Sequence, residues 1–121
     1  MDITTQHNKY LDKIIKKIEA VDPRIVIIFG SYIKNKLSED SDLDLLVVLD
    51  IDRIPSSYDE KIKMKLKVRK SISEINRNVA IDLLVYTIPE YEELIKSDSS
   101  FSKELKETGK IIYEKASTAM A

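Results

Sequence analysis

Three aspartates occupy places in the sequence where an acidic side chain is uncommon. Asp44 lies in a run of leucine and valine from Leu43 to Leu49, and Asp82 lies in a second apolar run from Val79 to Tyr86. Asp42 precedes Asp44 by two residues, so both side chains point to the same side of an extended strand. Aspartate is a poor strand former, and a buried unpaired carboxylate is costly. These positions therefore predict a function for the three carboxylates.

Carboxylates that converge suit a hard divalent cation. If the two apolar runs form adjacent strands, Asp42, Asp44 and Asp82 meet at one point, where like charges destabilise a fold unless a cation lies between them. Oxygen ligands of this type prefer Mg2+ or Mn2+. Such a cation can bind the phosphates of a nucleotide and activate an attacking hydroxyl. The alternative, that each aspartate caps a turn or begins a strand at the solvent edge, fits Asp42 best and Asp82 least.

A second feature with chemical potential precedes the acids. Gly30 and Ser31 follow the β-branched run from Ile25 to Phe29, and we expect a short helix from Tyr32 to Lys36 after them. Backbone N–H groups at such a junction bind anions, glycine permits the close approach of a phosphate, and the Ser31 hydroxyl adds a donor. A Gly-Ser pair alone is only a turn. Its value comes from the ten residues that separate it from Asp42.

Apolar periodicity predicts the elements that must position these residues. Helical spacing marks residues 5–20, 57–75, 90–96 and 99–107, with Gly109 closing the last helix, and apolar runs mark strands at 25–29, 43–49, 79–86 and 111–113. The expected fold is α/β (α+β), a small mixed β-sheet of three to four strands with helices packed on it.

The segment from Lys61 to Lys70 is ambiguous, because apolar and basic residues alternate there as in a strand. Lysine favours helix, however, and Met64, Val68 and Ile72 share one helical face, so we predict a helix. We interpret its lysines as a solvated face whose stems cover apolar surface, with contact to RNA or an acidic partner as the alternative.

Length and composition limit the number of domains and the classes of partner that we expect. We expect one domain at 1–115 and a frayed, featureless tail at 116–121. Twenty basic and 21 acidic side chains leave a net charge of -1, which argues against direct nucleic-acid binding. The absence of cysteine excludes disulfides and thiolate metal sites, and no apolar run is long enough to cross a bilayer. We therefore expect a cytoplasmic protein with no membrane partner.

The spacing of the motifs resembles that of a known enzyme family. Gly30-Ser31, a ten-residue gap, Asp42-x-Asp44 and a later strand aspartate are similar to the signature of the polymerase-β nucleotidyltransferase superfamily, and the length resembles its minimal (MNT or MntA-like) group. The resemblance implies Mg2+-dependent transfer of a nucleoside monophosphate, AMP from ATP, to a hydroxyl. It also implies that Asp42, Asp44 and Asp82 hold the metal and catalyse transfer, while Gly30 and Ser31 bind the triphosphate.

The phosphate loop departs from the family's usual Gly-Ser-Arg-x-x-Gly opening. Residues 32–35 read Tyr-Ile-Lys-Asn. Lys34 or Lys36 can replace the charge of an arginine but not its bidentate grip on phosphate. Asn35 tolerates the left-handed geometry that glycine would supply. We therefore include Lys34 in the expected nucleotide-binding set.

Many proteins of the minimal group resemble antitoxins encoded beside a HEPN-domain ribonuclease toxin, and some attach AMP to a tyrosine of that toxin. The resemblance thus implies a hetero-oligomer with a HEPN toxin. One alternative is a non-catalytic antitoxin that masks its toxin sterically, although the intact triad of acids argues against lost catalysis. Another is a nucleotidyltransferase for a small molecule, which would need an acceptor-binding domain for which 121 residues leave no room.

Overall fold

Helices cover both faces of a four-stranded mixed sheet in the computed structural model, which describes residues 3–30 and 43–115, with side chains from residue 10 onward. The described helices are α1 (Ile3–Ile18, followed by a 3-10 turn at Glu19–Val21), α2 (Tyr58–Ser71), α3 (Ser73–Asn76), α4 (Ile88–Lys96) and α5 (Ser100–Thr108). The described strands are β1 (Pro23–Phe29), β2 (Leu43–Leu49), β3 (Ile81–Tyr86) and β4 (Lys110–Glu114). The predicted small mixed sheet is confirmed. The helix predicted at 32–36 and the tail at 116–121 lie outside the described residues.

The order of strands in the sheet is β3-β2-β1-β4. β1 runs antiparallel to both β2 and β4, whereas β2 and β3 are parallel and are joined through α2 and α3. Consequently β1 ends where β2 and β3 begin. We call this the acidic end of the sheet, because Gly30, Asp44 and Asp82 all lie there.

Buried apolar side chains fill both faces of the sheet, which explains why its central strands are apolar on both sides. Ile28 and Leu45 belong to the layer under α1, α2 and α3. Leu46 and Val48 belong to the layer under α4 and α5. No helix of the described chain is long and apolar enough to span a membrane.

The segment after residue 57 is helical, as predicted, but it breaks earlier than its periodicity indicates. Ser57 caps α2, since its side-chain oxygen accepts a hydrogen bond from the Glu60 N–H at 3.1 Å. The chain leaves the helix at Ile72 (φ -112°, ψ 14°), and the short helix α3 follows. Ile72 and Ile75 are nevertheless buried. The break therefore turns the chain toward β3 without removing these side chains from the core.

The last helix lies within one residue of the predicted range 99–107 at each end, but it ends in a different way. Ser99 caps α5 by accepting a hydrogen bond from the Ser102 N–H at 3.1 Å. Gly109 follows the helix with φ -68° and ψ 135°, which is extended rather than the left-handed conformation common for a terminal glycine. The extended conformation carries the chain directly into β4, where Lys110 pairs with Ile28.

Candidate functional site

Two of the three predicted carboxylates lie side by side on neighbouring strands. Asp44 is the second residue of β2, Asp82 is the second residue of β3, and the parallel register pairs them directly. Leu46 and Leu84 lie two residues further along, so both acids point to the face of the sheet that α4 and α5 cover. Neighbouring strands are about 4.8 Å apart, a spacing at which both carboxylates can reach one cation.

The two acids are more exposed to solvent than the apolar runs around them predict. Asp82 is exposed and Asp44 is half-buried, because α4 and α5 pack over the later residues of the strands. The predicted burial of Asp82 is therefore wrong, and its position matches the solvent-edge alternative. The second acid directly opposite nevertheless indicates a function, since like charges paired across a sheet destabilise it. Among the described lysines and arginines, none lies within 4.0 Å of Asp82 to offset that charge.

Gly30 lies against the Asp44 carboxylate at the end of β1. Phe29 pairs with Asp44 across the β1–β2 ladder, and the chain then turns at Gly30 with φ 77°. A Cβ atom at Gly30 would lie 3.3 Å from Asp44 Cγ and closer still to Oδ2. Both the positive φ and the lack of space require glycine here. The glycine thus allows the carboxylate to lie directly over the backbone.

Thr108, which the sequence analysis did not identify, holds Gly30 from the other side. The Thr108 hydroxyl accepts a hydrogen bond from the Gly30 N–H at 3.3 Å and donates one to the Glu104 carbonyl at 2.8 Å. One turn of helix away from Glu104, the Phe101 ring packs edge-on against Phe29, with centroids 5.3 Å apart. α5 therefore supports the end of β1. No local signal marks Thr108, because 78 positions separate it from Gly30.

Two further hydrogen bonds fix the beginnings of β2 and β3, one between the two strands and one from β3 to α3. The Leu43 N–H donates to the Ala80 carbonyl at 2.9 Å, and the Ile81 N–H donates to Asn76 Oδ1 at 3.0 Å. Leu43, Ala80 and Ile81 are each within two positions of Asp44 or Asp82, and Asn76 is the last residue of α3. The backbone under the Asp44–Asp82 pair is therefore fixed on both strands.

Part of the predicted site lies outside the described residues, namely Ser31, Lys34 and Asp42. Within the described ranges, no group of three or more histidine, cysteine, aspartate or glutamate side chains is arranged to hold a metal ion. The Asp44–Asp82 pair supplies two carboxylates. The third ligand, Asp42, stays a prediction, as does phosphate binding by Ser31 and Lys34.

A groove of about 290 Å³ lies elsewhere, between α1 and α3, and its lining includes Tyr10, Ile75, Lys13, Lys16 and Lys17. These helices pack on the opposite face of the sheet from the two acids. The groove is therefore separate from the acidic end.

The match to a family decides how the acidic end is interpreted. The model of the polymerase beta nucleotidyltransferase family matches residues 11–118, a range that contains Gly30, both acids and all four described strands. The chain belongs to this family. The glycine turn and the paired acids are thus features of a polymerase beta nucleotidyltransferase, and the predicted family is confirmed.

Solved structures share the fold of this nucleotidyltransferase at low sequence identity. A candidate nucleotidyltransferase from Sulfolobus solfataricus has a TM-score of 0.60 and 17% identity, covering 93% of this chain and 84% of that one. A toxin–antitoxin with AMP-PNP has a TM-score of 0.53 and 18% identity, covering 87% and 73%. A variant of the toxin–antitoxin MntA–HpeT, with two aspartates two positions apart changed to glutamate, has a TM-score of 0.51 and 16% identity, also covering 87% and 73%. No curated protein matches the sequence.

Proposed function

We propose that this nucleotidyltransferase acts in the cytoplasm as an antitoxin that transfers AMP from ATP to a hydroxyl of a HEPN-domain toxin. Family membership supports the reaction class. The toxin–antitoxin structures of similar fold, one of them with AMP-PNP, support the choice of nucleotide and partner. The observation that carries the chemical part is the direct register of Asp44 and Asp82 at the accessible end of the sheet.

Mg2+ or Mn2+ is the proposed cofactor of the acidic end. The donor set fits a hard cation, because two carboxylates of like charge face one position and Asp42 would add a third. A bound cation would neutralise negative charge on the acids and on the phosphates of ATP. The spacing of the two substituted aspartates in the MntA–HpeT variant equals that of Asp42 and Asp44, which supports a role for the pair.

The proposed transfer forms one bond and breaks one. The acceptor oxygen attacks the α-phosphorus of ATP, the bond from that phosphorus to the bridging oxygen breaks, and pyrophosphate leaves with the bonding electrons. Asp82 accepts the proton of the acceptor hydroxyl, because its carboxylate is exposed and can meet an incoming group. Gly30, Ser31 and Lys34 bind and orient the triphosphate.

The test combines a transfer assay with a toxicity assay. The purified protein is incubated with labelled ATP, Mg2+ and the product of the adjacent reading frame, alongside the Asp42→Asn/Asp44→Asn double variant. We expect label on the partner with the wild type only, and only the wild type should suppress toxicity. Suppressed toxicity without any transfer would favour steric masking. Equal transfer by the double variant would overturn the roles of both aspartates.

A change at Asp82 tests the paired charges without an activity assay. Asp82→Asn removes one of two like charges that face each other across β2 and β3, so in EDTA the free energy of unfolding should rise by about 0.5 kcal/mol or less. Mg2+ should then raise the Tm of the wild type more than that of the variant. Thermal unfolding in EDTA and in Mg2+ measures both effects.

Asp12→Asn is the matched control, because Asp12 is an exposed acid on α1, a helix of the opposite face. This variant should respond to Mg2+ as the wild type does. A Mg2+ response that is unchanged in Asp82→Asn would contradict a cation held by the Asp44–Asp82 pair.

A further inference from the structure

α2 exposes a row of large apolar side chains on the side away from the core. Tyr58, Ile62 and Leu66 follow one another at intervals of four residues and are 78%, 38% and 56% exposed. Met64 and Val68 contact the core from the other side of the same helix. We call Tyr58, Ile62 and Leu66 the outer stripe of α2. A continuous exposed apolar row of this kind marks an interaction surface more often than scattered single residues do.

Unpaired cations surround the outer stripe. α2 carries six basic side chains and two acidic ones. Glu60 is already engaged, because Arg53 and the Ser56 N–H bind its carboxylate and lower its pKa to about 2. Lys61 is paired with Glu90 at 2.6 Å. The remaining cations of the helix have no ion pair within 4.0 Å in the described part of the chain: Lys63, Lys65, Lys67, Arg69 and Lys70.

The outer stripe lies beside the strand that carries Asp82. Lys61, which directly precedes Ile62, reaches around β3 so that its ammonium group lies 4.9 Å from the centroid of the Tyr86 ring. β3 is the outermost described strand on that side of the sheet. This contact lies at the end of β3, four residues beyond Asp82, so a chain bound along the outer stripe would lie next to the strand that carries Asp82.

We propose that the outer stripe binds an amphipathic helix of the protein acceptor, with an apolar row flanked by aspartate and glutamate. An apolar row at intervals of four residues matches the spacing by which one helix packs on another. Acidic flanks would meet the unpaired cations of α2 and would select this partner over others. The inference rests on the proposed function, because it takes the recipient of AMP to be a protein.

Charge argues against two other occupants of the outer stripe, a second copy of the chain and an RNA. A second copy of the chain would bring two sets of unpaired cations together, and like charges across an interface oppose association. An RNA would contact the lysines but leave Ile62 and Leu66 uncovered, and the net charge of -1 gives the chain little general attraction for phosphates.

The test uses two designed helical peptides that share an apolar row of leucines at intervals of three and four residues. One peptide carries glutamates on both flanks, and the other carries lysines at the same positions. Binding to the wild type, to Ile62→Gln/Leu66→Gln and to the control Ile111→Gln is measured by isothermal titration calorimetry. Ile111 is a suitable control because it is a half-exposed isoleucine on β4, at the opposite edge of the sheet.

We expect the glutamate peptide to bind the wild type and the control equally, and to bind the double variant at least about tenfold more weakly. The lysine peptide should bind at least about tenfold more weakly than the glutamate peptide. Equal binding of both peptides, or equal binding to the double variant, would overturn the proposal. So would a dimer of the wild type that the double variant loses, or an RNA duplex that binds both proteins alike.

A transfer assay separates this inference from the proposed function. With the toxin as acceptor, the Ile62→Gln/Leu66→Gln variant should transfer AMP at least about tenfold more slowly at low toxin concentration and recover at high concentration, as expected for weakened docking. Unchanged transfer would refute the docking surface while leaving the proposed function intact. If the wild type transfers no AMP but still binds the glutamate peptide through the outer stripe, the proposed function fails and the surface stands.

Discussion

Replacing Asp44 with asparagine should lower the rate of AMP transfer by about a thousandfold or more. The substitution keeps the shape of the side chain but removes its charge. The Asp44 side chain lies opposite Asp82 and against Gly30. A neutral amide is a far weaker ligand for Mg2+ than a carboxylate. The rate is measured with saturating toxin and ATP under single-turnover conditions. Binding of the toxin should be unaffected, because the outer stripe of α2 is unchanged.

Asp50→Asn provides the control on the same strand. Asp50 directly follows β2 at its other end, is half-buried, and accepts a hydrogen bond from Lys115 at 2.7 Å. Its replacement should reduce stability and leave the transfer rate per folded molecule unchanged. If Asp44→Asn keeps more than about a tenth of the wild-type rate, or if Asp50→Asn loses as much, the role given to Asp44 is wrong.

Gly30→Ala should lower the rate of AMP transfer by about a hundredfold, although the added methyl group carries no charge. The methyl group would overlap the Asp44 carboxylate, which must then move away from its position beside Asp82. The left-handed backbone of Gly30 adds a cost to stability of about 1–2 kcal/mol. Transfer rates are therefore compared per folded molecule, with the folded fraction taken from urea unfolding.

The second glycine of the chain is the control for a steric clash away from the acids, because Gly109 has an ordinary φ of -68°. An alanine at Gly109 would press on the Leu105 backbone and lie 3.2 Å from Ile27 Cγ2, but it would touch neither acid. Gly109→Ala should thus destabilise the fold and spare the rate. A double-mutant cycle gives the stricter test. Adding Gly30→Ala to Asp44→Asn should cost little further rate if the glycine acts through that carboxylate, and fully additive losses would contradict this coupling.

The alternation of apolar and basic residues in α2 shows how a sequence pattern can mislead and inform together. Met64 and Val68 form the expected face toward the core, whereas Ile62 and Leu66 form a second apolar row on the outside. A helix that is apolar on two sides imitates the period of a strand. The lysines of this segment predicted the helix correctly. The predicted solvated outer face also contains the exposed apolar side chains of Ile62 and Leu66.

Short-range patterns predicted most elements, because each depends on a few neighbouring residues. The bounds of β2 match the apolar run from Leu43 to Leu49, and helices begin directly after Ser57 and Ser99, where helical spacing sets in. Strand order follows from packing across the whole chain. The sequence therefore predicted that Asp44 and Asp82 meet only if their two strands are adjacent. The accessibility of the acids likewise depends on where α4 and α5 end over the sheet.

The hydrogen bond between Thr108 and Gly30 has a consequence for folding during translation. Gly30 leaves the ribosome early, but Thr108, which supports it, belongs to α5 and is made much later. The outer edge of β1 is covered by β4 only once residue 114 has been made. A nascent chain shorter than this has an open strand edge and an unsupported glycine turn. Catalysis should therefore begin only once the chain has been made through residue 114 and that residue has left the ribosome.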